Sequence, residues 1–194
     1  VEDYIQNCES CHPAPASITE LPNRTTGSNE NTDLVDEFNS VVFIDLLNFG
    51  LVSGYEYLLV MQDVSLGWLE IEPLGDRQPP TITDALLDHW VCRHGLMKAM
   101  ISNQEWCLRA IDDLGRKFHV QQLGPYAAGP ELGEELGDMI KSSVAYIRRH
   151  LEGRNDWPSR VAPLKFAYNS ITPMVGGKTP FQLPAGRRPC STSQ

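Results

Sequence analysis

Three polar positions in this chain of 194 residues could together hold a pair of divalent cations. Asp45 follows one buried apolar run, Asn103 follows another, and Glu135 falls in the first turns of a long predicted helix. Oxygen ligands of this kind bind hard cations, which align a water or a 3′-hydroxyl with a phosphodiester and stabilise the leaving oxygen. Asn103 offers a carbonyl oxygen without a charge. The pattern therefore predicts a nuclease or strand-transfer site that has lost one anionic ligand.

Five predicted strands position these residues. The first three alternate or run apolar and are joined by short Gly-containing links, which predicts an antiparallel meander. A strand that follows a crossover helix is expected to run parallel to its neighbour. The predicted strands are Val41 to Ile44, ending near Asp45; Tyr57 to Met61; Trp68 to Glu72; Ala99 to Ile101; and Phe118 to Gln121.

Helix start and stop signals divide the rest of the chain. Pro79-Pro80 opens a helix that ends at Gly95, Pro130 opens a long one that ends at Gly153, and Trp157-Pro158 begins another. Shorter helices are expected at 107–114 and 179–183. Helical spacing predicts core stripes at Ile82, Leu86 and Trp90, at Leu132, Leu136, Ile140, Val144, Ile147 and Leu151, and at Val161, Leu164 and Tyr168. The order of elements predicts an α/β fold, a mixed five-stranded sheet flanked by helices.

Composition limits the possible partners. The net charge of −9 and the pI near 5.0 argue against broad electrostatic attraction to nucleic acid. No apolar run approaches the ~20 residues of a membrane span, and no signal peptide is visible. Five scattered cysteines suggest a reducing compartment. An intracellular protein, nuclear or cytoplasmic, is the expectation.

Four regions are expected along the chain. Residues 1–11 contain Cys8 and Cys11 in a CxxC pair, residues 12–37 are rich in Pro, Thr, Asn and Ser and read as a linker, residues 38–188 form the core, and residues 189–194 form a tail. Two cysteines supply only half of a closed structural zinc site.

The core resembles the catalytic core of retroviral and long-terminal-repeat retrotransposon integrases, and looks like a host-domesticated copy. The resemblance covers about residues 40 to 188 and rests on four segments in order. They are SGYEYLLVMQDVSLGWLEIEPL, HWVCRHGLMKAMISN, GPYAAGPELGEELGDMIKSSV and NDWPSRVAPLKFAYNSITPMVGGKTPFQLPAGRRP.

This resemblance implies an RNase H-like fold and a Mg²⁺ or Mn²⁺ site. It assigns the three catalytic positions to Asp45, Asn103 and Glu135, with the second aspartate replaced. It also implies that Cys8 and Cys11 are the last pair of a His-His-Cys-Cys zinc module whose histidines lie upstream, so Zn²⁺ is expected only with that missing pair. Beyond Glu135, Met139 and Ser142 stand where retroviral members present cations to DNA.

We therefore expect a catalytically inactive integrase-like domain that is retained as a protein-interaction or dimerisation module. Losing a catalytic group that acts within a unit typically costs ~10³-fold or more in rate. Asp45 and Glu135 would bind metal weakly at best, and no cofactor is expected to be bound. Asp112 and Asp113 are not expected to compensate, because both fall on the solvated side of a short helix.

Two alternatives stay open. One is a nucleic-acid-binding domain without strand transfer, and the other is a residual Mg²⁺-dependent nuclease. The first would use a basic ridge across the last two helices, formed by Arg148, Arg149, Arg154, Arg160 and Lys165.

A homodimer is expected through the helix opened by Pro79-Pro80 and the helix after Trp157, because related cores pair through these elements. Their apolar residues exceed what one buried stripe needs, and a helix that is apolar beyond its core face is usually covered by something else. These residues are Leu86, Leu87, Trp90, Val91, Leu164 and Tyr168. A protein partner, weak nucleic-acid binding and no membrane contact complete the expectation.

Overall fold

A computed structural model describes residues 37–102, 112, 115–116, 118–123, 130–171 and 177–182, with the side chains of 130–135 excepted. The sheet contains five strands in the order β3-β2-β1-β4-β5. Their bounds are β1 Val41–Val52, β2 Tyr55–Asp63, β3 Leu69–Leu74, β4 Ala99–Ile101 and β5 Gln121–Leu123. The β1–β2 and β2–β3 pairs are antiparallel, and the β1–β4 and β4–β5 pairs are parallel. The predicted mixed five-stranded sheet is confirmed.

Within the described residues, three helices of eight residues or more flank the sheet. Helix α1 is continuous from Pro79–Leu86 through one π-helical turn, Leu87–Val91, to a final short segment, Cys92–His94. Gly95 ends it with a φ of 85°, a conformation that glycine adopts without strain. Helix α2 spans Pro130–Leu151 and helix α3 spans Trp157–Ile171. The three predicted helix starts are confirmed.

The two faces of the sheet carry different helices. On one face α1 buries Ile82, Leu86 and Trp90 against β1 and β2. On the other face α2 and α3 pack with alternate residues of β1, β2 and β3. That cluster contains Leu47, Leu58, Val60, Leu69, Ile71, Ile147, Leu151, Trp157, Val161, Leu164 and Tyr168. Alternation along each strand produces this division, since successive side chains point to opposite faces.

Two strand predictions were wrong at their ends. The first strand does not end near Asp45 but continues to Val52, because its second half keeps pairing with β2 through a bulge after Asn48. The strand expected at Phe118 to Gln121 begins only at Gln121. His119 has a φ of 57°, and an extended strand does not run through that conformation.

The short helices are described only in part. Asp112, Gly115, Arg116 and Phe118 are helical, and the rest of the segment expected at 107–114 lies outside the described residues. Gln182 N–H donates to the Thr179 carbonyl at 2.9 Å, while Leu183 lies outside them. Among the described residues, no helix is both long and apolar enough to cross a membrane.

Candidate metal centre

Asp45 is the predicted site residue whose side chain the structure describes. It lies in the middle of β1, between Phe43 and Leu47 on the face of the sheet that α2 and α3 cover. The Asp45 side chain is half-buried, and its Oδ1 accepts a hydrogen bond of 2.8 Å from Leu46 N–H. The Leu46 N–H thus occupies one of the several acceptor positions that this carboxylate could offer to a cation.

Residues next to Asn103 and Glu135 in the sequence indicate where these two predicted site positions lie. Phe43 pairs with Ile101 in the parallel β1–β4 ladder, and Asp45 and Asn103 each follow by two residues in sequence. Asn103 itself lies outside the described residues. Glu135 belongs to the first turns of α2 by its backbone, directly before Leu136, whose side chain packs with Phe43 and Ile101.

The His, Cys, Asp and Glu side chains that the structure describes do not by themselves form a metal site. Among the described residues, no group of three His, Cys, Asp or Glu side chains is placed to hold a metal ion. The Glu135 side chain is among those not described, and Cys8 and Cys11 also lie outside. Asp112 is exposed and lies 3.8 Å from Arg116, as its expected solvated position requires.

The predicted basic ridge is largely paired with acids. Arg148 lies 3.4 Å from Glu152, and Arg160 lies 2.8 Å from Asp156. Lys165 lies 2.8 Å from the buried carboxylate of Glu70. Three of the five ridge cations are therefore neutralised locally, which reduces the positive field that a phosphate backbone would meet.

The sequence did not predict the cluster around Glu70. This β3 carboxylate is only 3% exposed and accepts from Trp68 Nε1 at 3.0 Å. His94 Nε2 at 3.4 Å and Arg93 Nη1 at 3.6 Å approach it from α1, while Lys165 approaches from α3. Burial opposes ionisation of Glu70, but the hydrogen bonds from His94, Lys165 and Trp68 and the charge of Lys165 outweigh it and lower its pKa to about 2.

Asn39 forms a second unpredicted junction, just before β1. Its Nδ2 donates to the His94 carbonyl at 2.8 Å, with the Gly95 and Leu96 carbonyls at 3.2 and 3.3 Å. Its Oδ1 accepts from Trp90 Nε1 at 2.8 Å. The amide thus satisfies the carbonyl of His94, the last residue of α1, which has no partner within the helix, and it also reaches two carbonyls of the turn that follows. A single polar residue before an apolar strand carried too little signal to reveal this.

Polar groups also join α2 and α3 beneath the sheet. Ser143 Oγ lies 2.6 Å from Gln62 Oε1, and Gln62 Nε2 donates to the Tyr168 hydroxyl at 3.0 Å. Burial raises the pKa of Tyr168 to about 12, although the bonds from Gln62 and Ser143 oppose that shift. The network is closed to solvent, so it fixes packing and does not offer a reactive group.

The strand order, the parallel β4 and the flanking helices define an RNase H-like integrase-core fold. The catalytic core domain of BIV integrase superposes with a TM-score of 0.56 at 10% identity, covering 75% of this chain and 93% of that chain. No protein-family model matches the chain.

Sequence relatives point the same way. The chain is 25% identical to the Gag-Pol polyprotein of baboon endogenous virus (strain M7) over 97% of its length, and 25% identical to the Pol polyprotein of feline endogenous virus ECE1 over 97%. It is 22% identical over 98% of its length to Gypsy retrotransposon integrase-like protein 1 of Mus musculus. The chain spans 11%, 18% and 36% of these three relatives. The resemblance to retroviral and retrotransposon integrases is confirmed.

Proposed function

We propose that this chain is a catalytically inactive integrase-like core that serves as a protein-interaction module. The observation that carries the proposal is the asparagine at position 103. Phe43 and Ile101 are paired in the β1–β4 ladder, and Asp45 and Asn103 come two residues after them in the sequence. If that register continues, the Asn103 amide would lie beside Asp45, where a metal pair needs a second carboxylate. An amide oxygen supplies no charge to offset two dications.

The proposed site would hold Mg²⁺ or Mn²⁺ weakly. Asp45 and Glu135 are the two carboxylates that would contact the ion, and Asn103 would add a neutral carbonyl oxygen. When bound, a metal pair activates a nucleophile and stabilises the leaving oxygen of a phosphodiester. Here the Leu46 N–H on Asp45 Oδ1 competes with a cation for the same oxygen. Zn²⁺ at Cys8 and Cys11 would need two further ligands.

Restoring the lost ligand tests this proposal. Isothermal calorimetry with Mg²⁺ and Mn²⁺, and a strand-cleavage assay on labelled DNA, should show no tight two-ion binding and no activity for the natural chain. Asn103→Asp should increase metal affinity, and Asp45→Ala in the same background should abolish the gain. Metal-dependent cleavage by the natural chain, lost in Asp45→Ala, would establish a working nuclease instead.

Nucleic-acid binding without strand transfer is the second candidate, favoured only by the ridge of Arg148, Arg149, Arg154, Arg160 and Lys165. The pairing of these cations with acids predicts weak binding, and any affinity that remains should fall as salt rises, because it would come from phosphate contacts. Glu152→Gln with Asp156→Asn frees Arg148 and Arg160 and should strengthen DNA binding in a low-salt anisotropy titration. Sub-micromolar affinity of the natural chain at physiological salt would favour this second function over the first.

A further inference from the structure

Strand β3 lies at the outside of the sheet, so one row of its backbone groups faces away from β2. Asp63 N–H donates to the Trp68 carbonyl at 2.9 Å, which fixes the alternation of the antiparallel ladder. By that alternation the outward-facing backbone groups belong to Leu69, Ile71 and Pro73. An open row of this kind is a template on which a second chain can add a strand.

A side chain of helix α3, that of Asn169, binds the outward backbone groups of Leu69. Leu69 N–H donates to Asn169 Oδ1 at 2.9 Å, and Asn169 Nδ2 donates to the Leu69 carbonyl at 2.8 Å. These are the two bonds that a residue of a neighbouring antiparallel strand would exchange with Leu69. Asn169 is only 3% exposed and Leu69 is fully buried, so solvent cannot replace either bond.

The rest of the edge is protected in two other ways. Lys165 lies one helical turn before Asn169, on the face of the sheet where α3 packs. It nevertheless pairs with Glu70, whose side chain emerges from the opposite face. Its side chain therefore crosses the edge of β3. Pro73 has no N–H to offer to an incoming strand. Charged side chains and proline are both features that discourage edge pairing.

We propose that Asn169, Lys165 and Pro73 close the β3 edge, with the Asn169 amide standing in for a sixth strand. Any self-association of this chain then uses side-chain surfaces and not the β3 backbone. A purely local packing role for Asn169 makes a different prediction. Its removal would lower stability without creating intermolecular strand pairing.

The full chain carrying Asn169→Ala is compared with Ser143→Ala. The control also loses a buried side-chain hydrogen bond, to Gln62, but Gln62 belongs to the inner strand β2, so the outward backbone groups of β3 keep their partners. Both are held at the same interval below their own melting temperatures. Asn169→Ala should gain light scattering that rises with concentration, together with an intermolecular β-sheet infrared signal, and Ser143→Ala should gain neither.

Two further variants keep the test decisive. Pro73→Val adds an outward N–H, so it should enhance assembly in the Asn169→Ala background more than in the natural chain. Asn169→Asp keeps the acceptor for Leu69 N–H, so it should assemble less than Asn169→Ala. If the alanine variant does not fold, the same scattering and infrared measurements are made on Asn169→Asp and Pro73→Val. Equal scattering by Asn169→Ala and Ser143→Ala, without intermolecular β-sheet signal, would overturn the proposal.

Discussion

Lys165 Nζ lies 2.8 Å from Glu70 Oε2, although Lys165 belongs to a helix on one face of the sheet and the Glu70 side chain emerges from the other. Arg93 and His94 of α1 approach the same carboxylate. Glu70 therefore joins the helical layers of both faces around the outer strand. A buried carboxylate that contacts Lys165, Arg93 and His94 is costly to remove, because the lysine and the arginine are left without a counter-charge.

Glu70→Gln should therefore destabilise the fold by about 3 kcal/mol, the lower end of the cost of breaking a buried ion pair, since Arg93 can turn to solvent. Urea unfolding followed by tryptophan fluorescence measures this change. Glu152→Gln is the matched control, since the same substitution there removes only the exposed pair with Arg148 and should cost less than about 1 kcal/mol. Equal effects of the two substitutions would contradict the cross-edge role of Glu70.

The same carboxylate should give stability a defined dependence on pH. The Glu70 pKa in the folded chain is about 2, below the ordinary 4.5. A lowered pKa means that the folded state favours the ionised form, so the contribution is complete above 4.5 and is lost as the pH falls towards 2. The difference in unfolding free energy between the natural chain and Glu70→Gln should shrink across that window. A difference that stays constant from neutral pH to 3 would refute the assignment.

Regular patterns in the sequence carried most of the fold. Proline and glycine marked both ends of α1 and α2 and the start of α3, and most buried residues of the meander are apolar, with Gln62, Asp63 and Glu70 as the polar exceptions. Glu70, Asn39 and Asn169 were missed for a common reason. Each is a polar residue with partners far away in the chain. Trp90 is 51 residues from Asn39, and Leu69 is 100 residues from Asn169. The cationic partners of Glu70 lie on two separate helices. Local periodicity contains no information about such contacts.

The placement of three polar residues after apolar runs and at a helix start suggested the candidate metal centre, and the integrase resemblance assigned its residues. The sequence pattern placed Asp45 at a strand end because a charged residue interrupts the apolar run there, whereas the strand continues with Leu46 and Leu47, both buried. A carboxylate in mid-strand breaks the apolar pattern without ending the ladder. Asn103 follows β4 in the sequence and Glu135 belongs to α2, so no local pattern could relate either residue to Asp45.

Asn39 offers a sharper test of how α1 is held. Its φ of 64° suits glycine, so Asn39→Gly removes the side chain without backbone strain and should cost about 1–3 kcal/mol for the unpaired Trp90 N–H and helix carbonyls. Asn39→Ala should cost about 1 kcal/mol more, because alanine disfavours that φ. Hydrogen exchange should show the loss concentrated at the end of α1. Identical stability of the two variants and the natural chain would contradict this role.

Helices α1 and α3 turn much of their apolar surface towards the sheet. Excess apolar residues on α1 and α3 were expected to need an outside cover, but Leu86, Trp90, Leu164 and Tyr168 are buried within one chain by the sheet. These four residues need no outside cover, because the two helices turn them inward on opposite faces. The other two residues of the prediction, Leu87 and Val91, are partly buried against the core beneath α1. The homodimer itself stays a prediction, drawn from the integrase resemblance.

The apolar surface that α3 leaves exposed provides its test. Phe166 is 39% exposed and contacts Phe181 edge-on at 6.4 Å between ring centroids. Light scattering should give twice the chain mass for the natural protein, and Phe166→Glu should shift it to one chain, because a charge in a buried dimer face is left unpaired.

Leu51→Glu is the control: Leu51 is 72% exposed at the tip of the β1–β2 hairpin. Trp157 Nε1 donates to Gly50 near that tip, and Phe166 lies roughly 13 Å further along α3. A single-chain mass for the natural protein at every concentration would exclude the dimer, and an equal shift in both variants would exclude Phe166 as its contact.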